Sequence, residues 1–181
     1  LTRTTIMPMV AYGITRDINV IVGLPYVKTK TSQGTLAGNE GFQDFSLALK
    51  AKIATLDFDS SLFINLIGVL GGALPVSNYN DDYGPQMLGL GCKEANGRLM
   101  VELIHKSGIY LRPQASYHLR TSCQIERDFY YSSEGPVYSD KIDIPNQTLM
   151  SLIFGVKLLD NDRLRAEVGY NKFNTIGGTE I

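Results

Sequence analysis

The sequence predicts an all-β protein, an antiparallel up-and-down β-barrel of the kind that crosses a bacterial outer membrane. Two observations carry this prediction. The polar gaps between its apolar-patterned segments alternate between short and long, and several segments alternate apolar with polar side chains over ten or more residues. Membrane barrels have tight turns at one end and long loops at the other. Their strands need about nine to eleven residues, whereas globular strands usually have about five or six.

The gaps give the order of the predicted elements. The short gaps, which predict tight turns, are Gly13–Asp17, Asp57–Ser60, Lys106–Gly108 and Asp160–Asp162. The long gaps, which predict the loops of the opposite end, are Lys28–Glu40, Val76–Gly97, Thr121–Gln147 and Lys172 to the last residue.

The first half of the chain contains four predicted strands. Thr4–Tyr12 includes Pro8, which cannot donate to a β-ladder and therefore predicts a strand end or an irregularity. Three further segments follow, of which the last is apolar on both parities apart from one asparagine and its glycines: Ile18–Leu24, Gly41–Thr55 and Leu62–Leu74.

The second half contains four more predicted strands: Arg98–His105, Ile109–Arg120, Thr148–Leu159 and Arg163–Asn171. Ile109–Arg120 is the clearest, because one parity is apolar while the other carries two arginines and a histidine. Successive side chains of a strand point to opposite faces, so this segment predicts one oily and one polar face. In a membrane barrel the oily face meets lipid and the polar face lines the lumen.

Composition excludes several other classes of protein. The 181 residues carry a net charge of −1, and the calculated pI is about 6.1, so no basic surface for nucleic acid is expected. The longest nearly apolar run, Leu62–Val76, is shorter than the roughly 20 residues of a membrane-spanning helix. Leu1–Thr5 has no basic stretch that leads into an apolar core, so we do not expect it to be a signal peptide.

The loop order predicts a single barrel domain over residues 1–181 that lacks strands at both ends. The first strand enters a short turn, so the chain would begin and end on the side of the long loops. Single-chain bacterial barrels normally begin and end on the opposite, periplasmic side with an even number of strands. We therefore expect about eight strands here and a parent barrel of 10 to 12 or more.

The polar parity supplies the candidate functional residues. Its ionisable and amide side chains would line the lumen and form either a selective polar constriction or a set of charge pairs that holds the barrel's shape. The predicted lumen-lining residues are Asp44, Lys50, Lys52, Glu102, Arg112, Gln114, His118, Arg120, Arg165 and Glu167. Cys92 and Cys123 lie in or beside long gaps, where they would form a disulfide in an oxidising compartment or remain two small thiols.

Catalytic and metal-binding motifs are weak in this sequence. Ser116 and His118 suggest a hydrolase, since some outer-membrane barrels use serine and histidine, but alternate residues of a strand lie roughly 7 Å apart. That separation favours an ordinary lumen lining for the pair. Asn78–Gly84 offers alternating oxygen ligands without the glycine and glutamate of a calcium-binding EF-hand loop. We expect no enzyme, no cofactor and no metal site.

Three stretches of the chain resemble a known family. Residues 13–20 (GITRDINV), 23–27 (GLPYV) and 41–50 (GFQDFSLALK) are similar to the outer-membrane proteins of the "MetA-pathway of phenol degradation" family. Ala73–Pro75 and Gly89–Gly91 resemble that family's next segment, whereas Cys92 departs from it. The resemblance implies an outer-membrane barrel that is associated with aromatic or other hydrophobic compounds.

Three functions fit these patterns. The leading hypothesis is an outer-membrane channel in the lipid bilayer that lets small hydrophobic or aromatic molecules pass by diffusion. The second is an outer-membrane barrel with a structural role, whose loops Val76–Gly97 and Thr121–Gln147 engage a partner. The third is a soluble lipocalin-like carrier, with the oily parity turned inward around a ligand.

Overall fold

The computed structural model describes residues 2–30, 38–59, 61–77, 88–89, 91–125, 128–132, 135–158 and 164–178. These residues form fifteen strands and no helix. The strands are β1 Thr2–Ile6, β2 Met9–Gly13, β3 Ile18–Gly23, β4 Tyr26–Lys30, β5 Glu40–Phe42, β6 Asp44–Asp59, β7 Leu62–Pro75, β8 Glu94–His105, β9 Ile109–Arg120, β10 Cys123–Gln124, β11 Tyr130–Ser132, β12 Gly135–Val137, β13 Lys141–Ile142, β14 Asn146–Lys157 and β15 Arg165–Ile176.

The main element is an eight-stranded antiparallel sheet in the order β15-β14-β9-β8-β7-β6-β3-β2. Each strand pairs with the neighbours that precede and follow it along the chain, apart from the short strands inserted in the connections, so the sheet is an up-and-down meander. The prediction of an all-β antiparallel fold is confirmed. Among the described residues, β2 and β15 form the two edges and do not pair with each other, so the sheet is not closed into a barrel.

Three neighbouring strands bend at the same height. β1 and β2 are separated at Pro8, β3 and β4 at Pro25, and β5 and β6 at Gln43. Backbone bonds continue across the bend, because Leu24 N donates to Pro8 O (3.3 Å) and Gln43 N to Pro25 O (2.8 Å). Beyond it, β1, β4 and β5 form a three-stranded sheet. The irregularity predicted at Pro8 is confirmed.

The long connection between β9 and β14 is itself folded. It contains the two antiparallel pairs β10-β13 and β11-β12. Cys123, Ile125, Tyr130 and Ile142 of this connection form a buried cluster with Cys92, which lies in the connection between β7 and β8. This folded connection, which we call the cap, lies at the end of the sheet that carries the long connections.

Several strand ends differ from the predicted ones, and β6, β8 and β15 show the reason. β6 continues to Asp59, through most of a predicted turn, and its register shifts between Lys52 and Ala54. β8 begins at Glu94 within a predicted loop, and β15 continues to Ile176 where a loop was expected. In each case backbone bonds to a neighbouring strand extend the ladder beyond the apolar alternation on which the prediction depended. The predicted sorting of short and long connections to opposite ends remains.

Candidate functional site

All ten predicted lumen residues lie on one face of the eight-stranded sheet. Paired residues of antiparallel neighbours share a face, so the register assigns each side chain directly. One row of paired residues crosses the sheet from Lys52 through Met100 to Gln114. The neighbouring rows on the same side of the sheet contain Lys50 and Glu102. We call this side the polar face and the opposite side the apolar face. Lining of a lumen stays a prediction, since the described strands do not enclose one.

The first cluster on the polar face lies at the end of the sheet near the cap. Glu94 accepts from Arg120 Nε at 2.9 Å through one carboxylate oxygen, and its other oxygen lies 2.8 Å from His118 Nδ1. Arg120 also donates to Gln147 Oε1 at 2.9 Å and to the carbonyl of Pro145 at 3.4 Å. These charged side chains are less than one-fifth exposed.

Ser116 and His118 are within hydrogen-bond distance of each other. Ser116 Oγ lies 3.2 Å from His118 Nε2, so the two side chains lean together far enough to overcome the roughly 7 Å between alternate residues of a strand. The two side chains lean toward each other, because His118 is held from its other ring nitrogen by Glu94. Ser116 is only 7% exposed.

The second cluster crosses the sheet near the short turns. Arg112 lies between two carboxylates, with guanidinium nitrogens 3.6 Å from Glu102 and 3.4 Å from Glu167. Asn65 donates to Glu102 at 3.4 Å, and Thr55 donates to Asn65 at 2.9 Å. Strands β6, β7, β8, β9 and β15 therefore contribute to one belt of polar side chains.

Tyr110 completes this belt from an unexpected position. Its hydroxyl donates to Glu167 across β14, which lies between their strands. The ring occupies the space above Gly155, where a β-carbon would overlap it. The guanidinium carbon of Arg112 lies 5.9 Å from the ring centre, within the range of a cation–π interaction.

The other predicted residues lie apart from the belt. Lys52 pairs with Asp17 at 2.8 Å, so it neutralises a residue of a short turn. The remaining members of the set lie on the polar face at other heights: Lys50, Gln114 and Arg165. Sequence reasoning missed Glu94, Tyr110 and Asn65, of which Glu94 lay inside a predicted loop.

A cavity of about 310 Å³ opens on the polar face at the bend of the sheet. Asp44, Glu94 and Arg120 supply charged groups, while Met9 and Pro25 supply an apolar wall. Pockets of this size and mixed lining accept small molecules that combine an apolar body with a few polar groups.

The apolar face has the opposite character. It carries aliphatic and aromatic side chains on every strand of the eight-stranded sheet. Among them, Val22 on β3 is half-buried, and those on the other seven strands include the exposed residues Val10, Leu47, Leu70, Leu99, Leu119, Leu152 and Val168. Leu70 is 71% exposed and Leu99 is 51% exposed. Lys172 is a charged exception on the edge strand.

The two cysteines lie together in the buried cluster of the cap, Cys123 on β10 and Cys92 in the connection that precedes β8. Cys92 and Cys123 are both buried in the same apolar cluster, and the structure contains them as thiols. Burial, with a smaller contribution from the neighbouring Cys123, raises the pKa of the Cys92 thiol to about 11.

No family model and no curated protein matches the chain. The resemblance of residues 13–50 to the phenol-degradation family therefore stays a prediction. The described part of the chain contains no helix that could span a membrane and no group of three or more metal-ligating side chains. The candidate calcium loop Asn78–Gly84 lies outside the described residues.

Proposed function

We propose that this protein is an outer-membrane β-barrel channel through which small hydrophobic or aromatic molecules pass by diffusion. The observation that carries the proposal is the burial pattern of the two faces. Side chains of Arg112, Glu102 and Arg120 are 20%, 15% and 14% exposed, whereas Leu70 and Val168 on the opposite face are 71% and 67% exposed.

This pattern is the reverse of what water favours. Burying apolar surface contributes about 25 cal/mol per Å², so a protein in water gains by covering its aliphatic face. Contiguous exposed apolar surface larger than a few hundred Å² marks a contact with a membrane or another protein. A lipocalin-like carrier would cover its apolar parity, which makes this alternative the weakest of the three.

The strand lengths also support a membrane location. β7 has 14 residues, and β8, β9, β14 and β15 have 12 each. About nine to eleven residues of a tilted strand cross the hydrocarbon layer, so these strands are long enough to span it. The short connections would face the periplasm and the cap would face outward.

The polar face would determine which solutes pass. The belt around Arg112 brings charges of both signs together on the polar face, which favours a narrow passage over a wide aqueous pore. The cavity beside Met9 and Arg120 would receive a solute at the outer end before it reaches the belt. A molecule with an apolar body and one polar group fits both surroundings.

The test uses the full chain folded into detergent and then into planar bilayers. A membrane barrel should migrate as a compact species on an unheated gel, shift after boiling and fractionate with the outer membrane. Discrete conductance steps would support the channel. If the protein remains in solution without detergent and shows no shift after boiling, the membrane proposal is refuted.

The folded cap favours a second candidate function. A connection that has its own buried cluster presents a fixed surface outside the sheet, as a partner-binding loop requires. A heat-modifiable barrel that never conducts would favour this structural or interaction role over the channel.

A further inference from the structure

We propose that Ser116, His118 and Glu94 form a nucleophilic relay that hydrolyses small carboxylic esters on the polar face. Ser116 Oγ lies 3.2 Å from His118 Nε2, and His118 Nδ1 lies 2.8 Å from Glu94 Oε1. A nucleophile in contact with a base, which a third group orients, is the geometry of covalent acyl transfer. The inference does not depend on the proposed channel.

The hydrogen bonds select the required tautomer of the histidine. A carboxylate only accepts hydrogen bonds, so the ring nitrogen that contacts Glu94 must carry the proton. In the neutral ring the other nitrogen, Nε2, then has a lone pair directed at the hydroxyl of Ser116. Ser116 donates to it, which is the state that a general base requires.

Glu94 is itself held in position. It uses Oε1 for His118 and Oε2 for Arg120, so the two contacts do not compete. Arg120 is fixed in turn by Gln147 Oε1 and by the carbonyl of Pro145. An orienting carboxylate with its own supporting contacts keeps the relay close to productive geometry before a substrate arrives.

The reaction balances without a cofactor. The serine oxygen attacks the ester carbonyl carbon while its proton moves to His118 Nε2, and Glu94 stabilises the imidazolium. The tetrahedral adduct then expels the alcohol, which takes the proton from His118 Nε2. The acyl group remains bonded to the serine oxygen. Water, deprotonated by the same nitrogen, then releases the carboxylic acid and restores Ser116.

The surroundings restrict the substrate. Ser116 is 7% exposed, so only a small ester with a slender acyl group would reach its oxygen. Arg98 pairs with Ser116 across β8 and β9 and lies on the same face, where its guanidinium is a candidate donor to the developing oxyanion. The nearby cavity, which Glu94 and Arg120 line, would hold the rest of the substrate.

The experiment measures covalent labelling of the full chain, folded in detergent, by a fluorophosphonate probe. The probe bonds to an activated serine with loss of fluoride, and mass spectrometry locates the adduct. We expect labelling at Ser116, its loss in Ser116→Ala and a decrease of at least about 100-fold in His118→Gln. Hydrolysis of p-nitrophenyl acetate should fall in parallel.

Ser151 is the matched control. It is a buried serine on the same face, and its hydroxyl has no hydrogen-bond partner among the described residues. Ser151→Ala should keep full labelling and hydrolysis. Wild-type labelling no faster than that of Ser116→Ala would overturn the proposal. If Ser116→Ala does not fold by the heat-shift gel, His118→Gln still decides the question, because it retains the serine. Conductance is measured separately, so failure of the relay leaves the channel proposal intact.

Discussion

The ring of Tyr110 lies across Gly155, in the space that a β-carbon would fill. The two residues are paired partners on β9 and β14, and the glycine lets the tyrosine cross β14 to donate its hydroxyl to Glu167. The absence of a side chain at this one position therefore permits the hydrogen bond that joins β9 to β15 across β14.

Substitution of Gly155 tests this relationship. Gly155→Ala should displace Tyr110, break its bond to Glu167 and lower the free energy of unfolding by about 1 to 3 kcal/mol, the range of overpacking substitutions. Gly169→Ala is the control, because the added β-carbon would meet Ile153 at an ordinary 3.4 Å. Urea unfolding in detergent gives both values. Equal effects of the two substitutions would contradict the role given to Gly155.

The faces of the sheet could be predicted from sequence, but the contacts across it could not. Alternation along a strand is local, so the chain alone sorted Arg112 and Glu167 onto one face. The contact between Glu94 and His118 depends on the register of β8 against β9. The contact between Tyr110 and Glu167 depends on the registers of β14 against β9 and β15, and the whole cap separates β9 from β14 in the sequence. Glu94 was assigned to a loop because residues 94–97 lack apolar alternation, although backbone bonds to β7 hold them in a strand.

Adjacent residues on β9 test the proposal that the apolar face meets lipid. Ala115 lies on the apolar face, and Gln114 lies on the polar face near the middle of the same strand. Ala115→Lys should cost about 2 to 4 kcal/mol, the penalty for a lysine at the bilayer midplane. Gln114→Lys should cost much less, because its side chain faces a polar surface.

The measurement for this pair is the folded fraction in lipid vesicles over a urea series. If both lysines behaved as ordinary surface substitutions, within about 0.5 kcal/mol of the parent, the apolar face would not be in lipid.

Arg112 provides a test of solute selection in the proposed channel. Arg112→Ala leaves Glu102 and Glu167 without their shared cation, so the passage should become more selective for cations in bilayer recordings. Stability should also fall by about 1 to 3 kcal/mol, less than the roughly 3 to 5 kcal/mol of a fully buried pair, because Glu167 is 36% exposed. Lys50→Ala is the control on the same face, since Lys50 has no ion pair among the described residues. Unchanged ion selectivity in Arg112→Ala would place the passage elsewhere.

The two cysteines of the buried cluster give a prediction about oxidation. Cys92 and Cys123 share one buried cluster, so we expect a mild thiol oxidant to join them within the folded chain. The bond should raise stability by about 2 to 4 kcal/mol, as disulfides of similar loops do. Mass spectrometry would detect the loss of two hydrogens, and Cys92→Ser should abolish it. Formation only of linked dimers would show that the thiols cannot meet in the fold.

The pKa of Cys92 predicts how its reactivity changes with pH. Burial raises this pKa from 9.0 to about 11, so the folded thiol stays protonated at pH 8, where alkylation needs the thiolate. The folded state binds this proton more tightly than the unfolded state does. The protonated thiol therefore contributes to the free energy of unfolding below about pH 9, and this contribution is lost as the pH rises through about 11. Iodoacetamide should therefore modify Cys92 slowly at pH 8 and much faster after boiling. Equal rates before and after unfolding would mean that the cap does not bury this thiol.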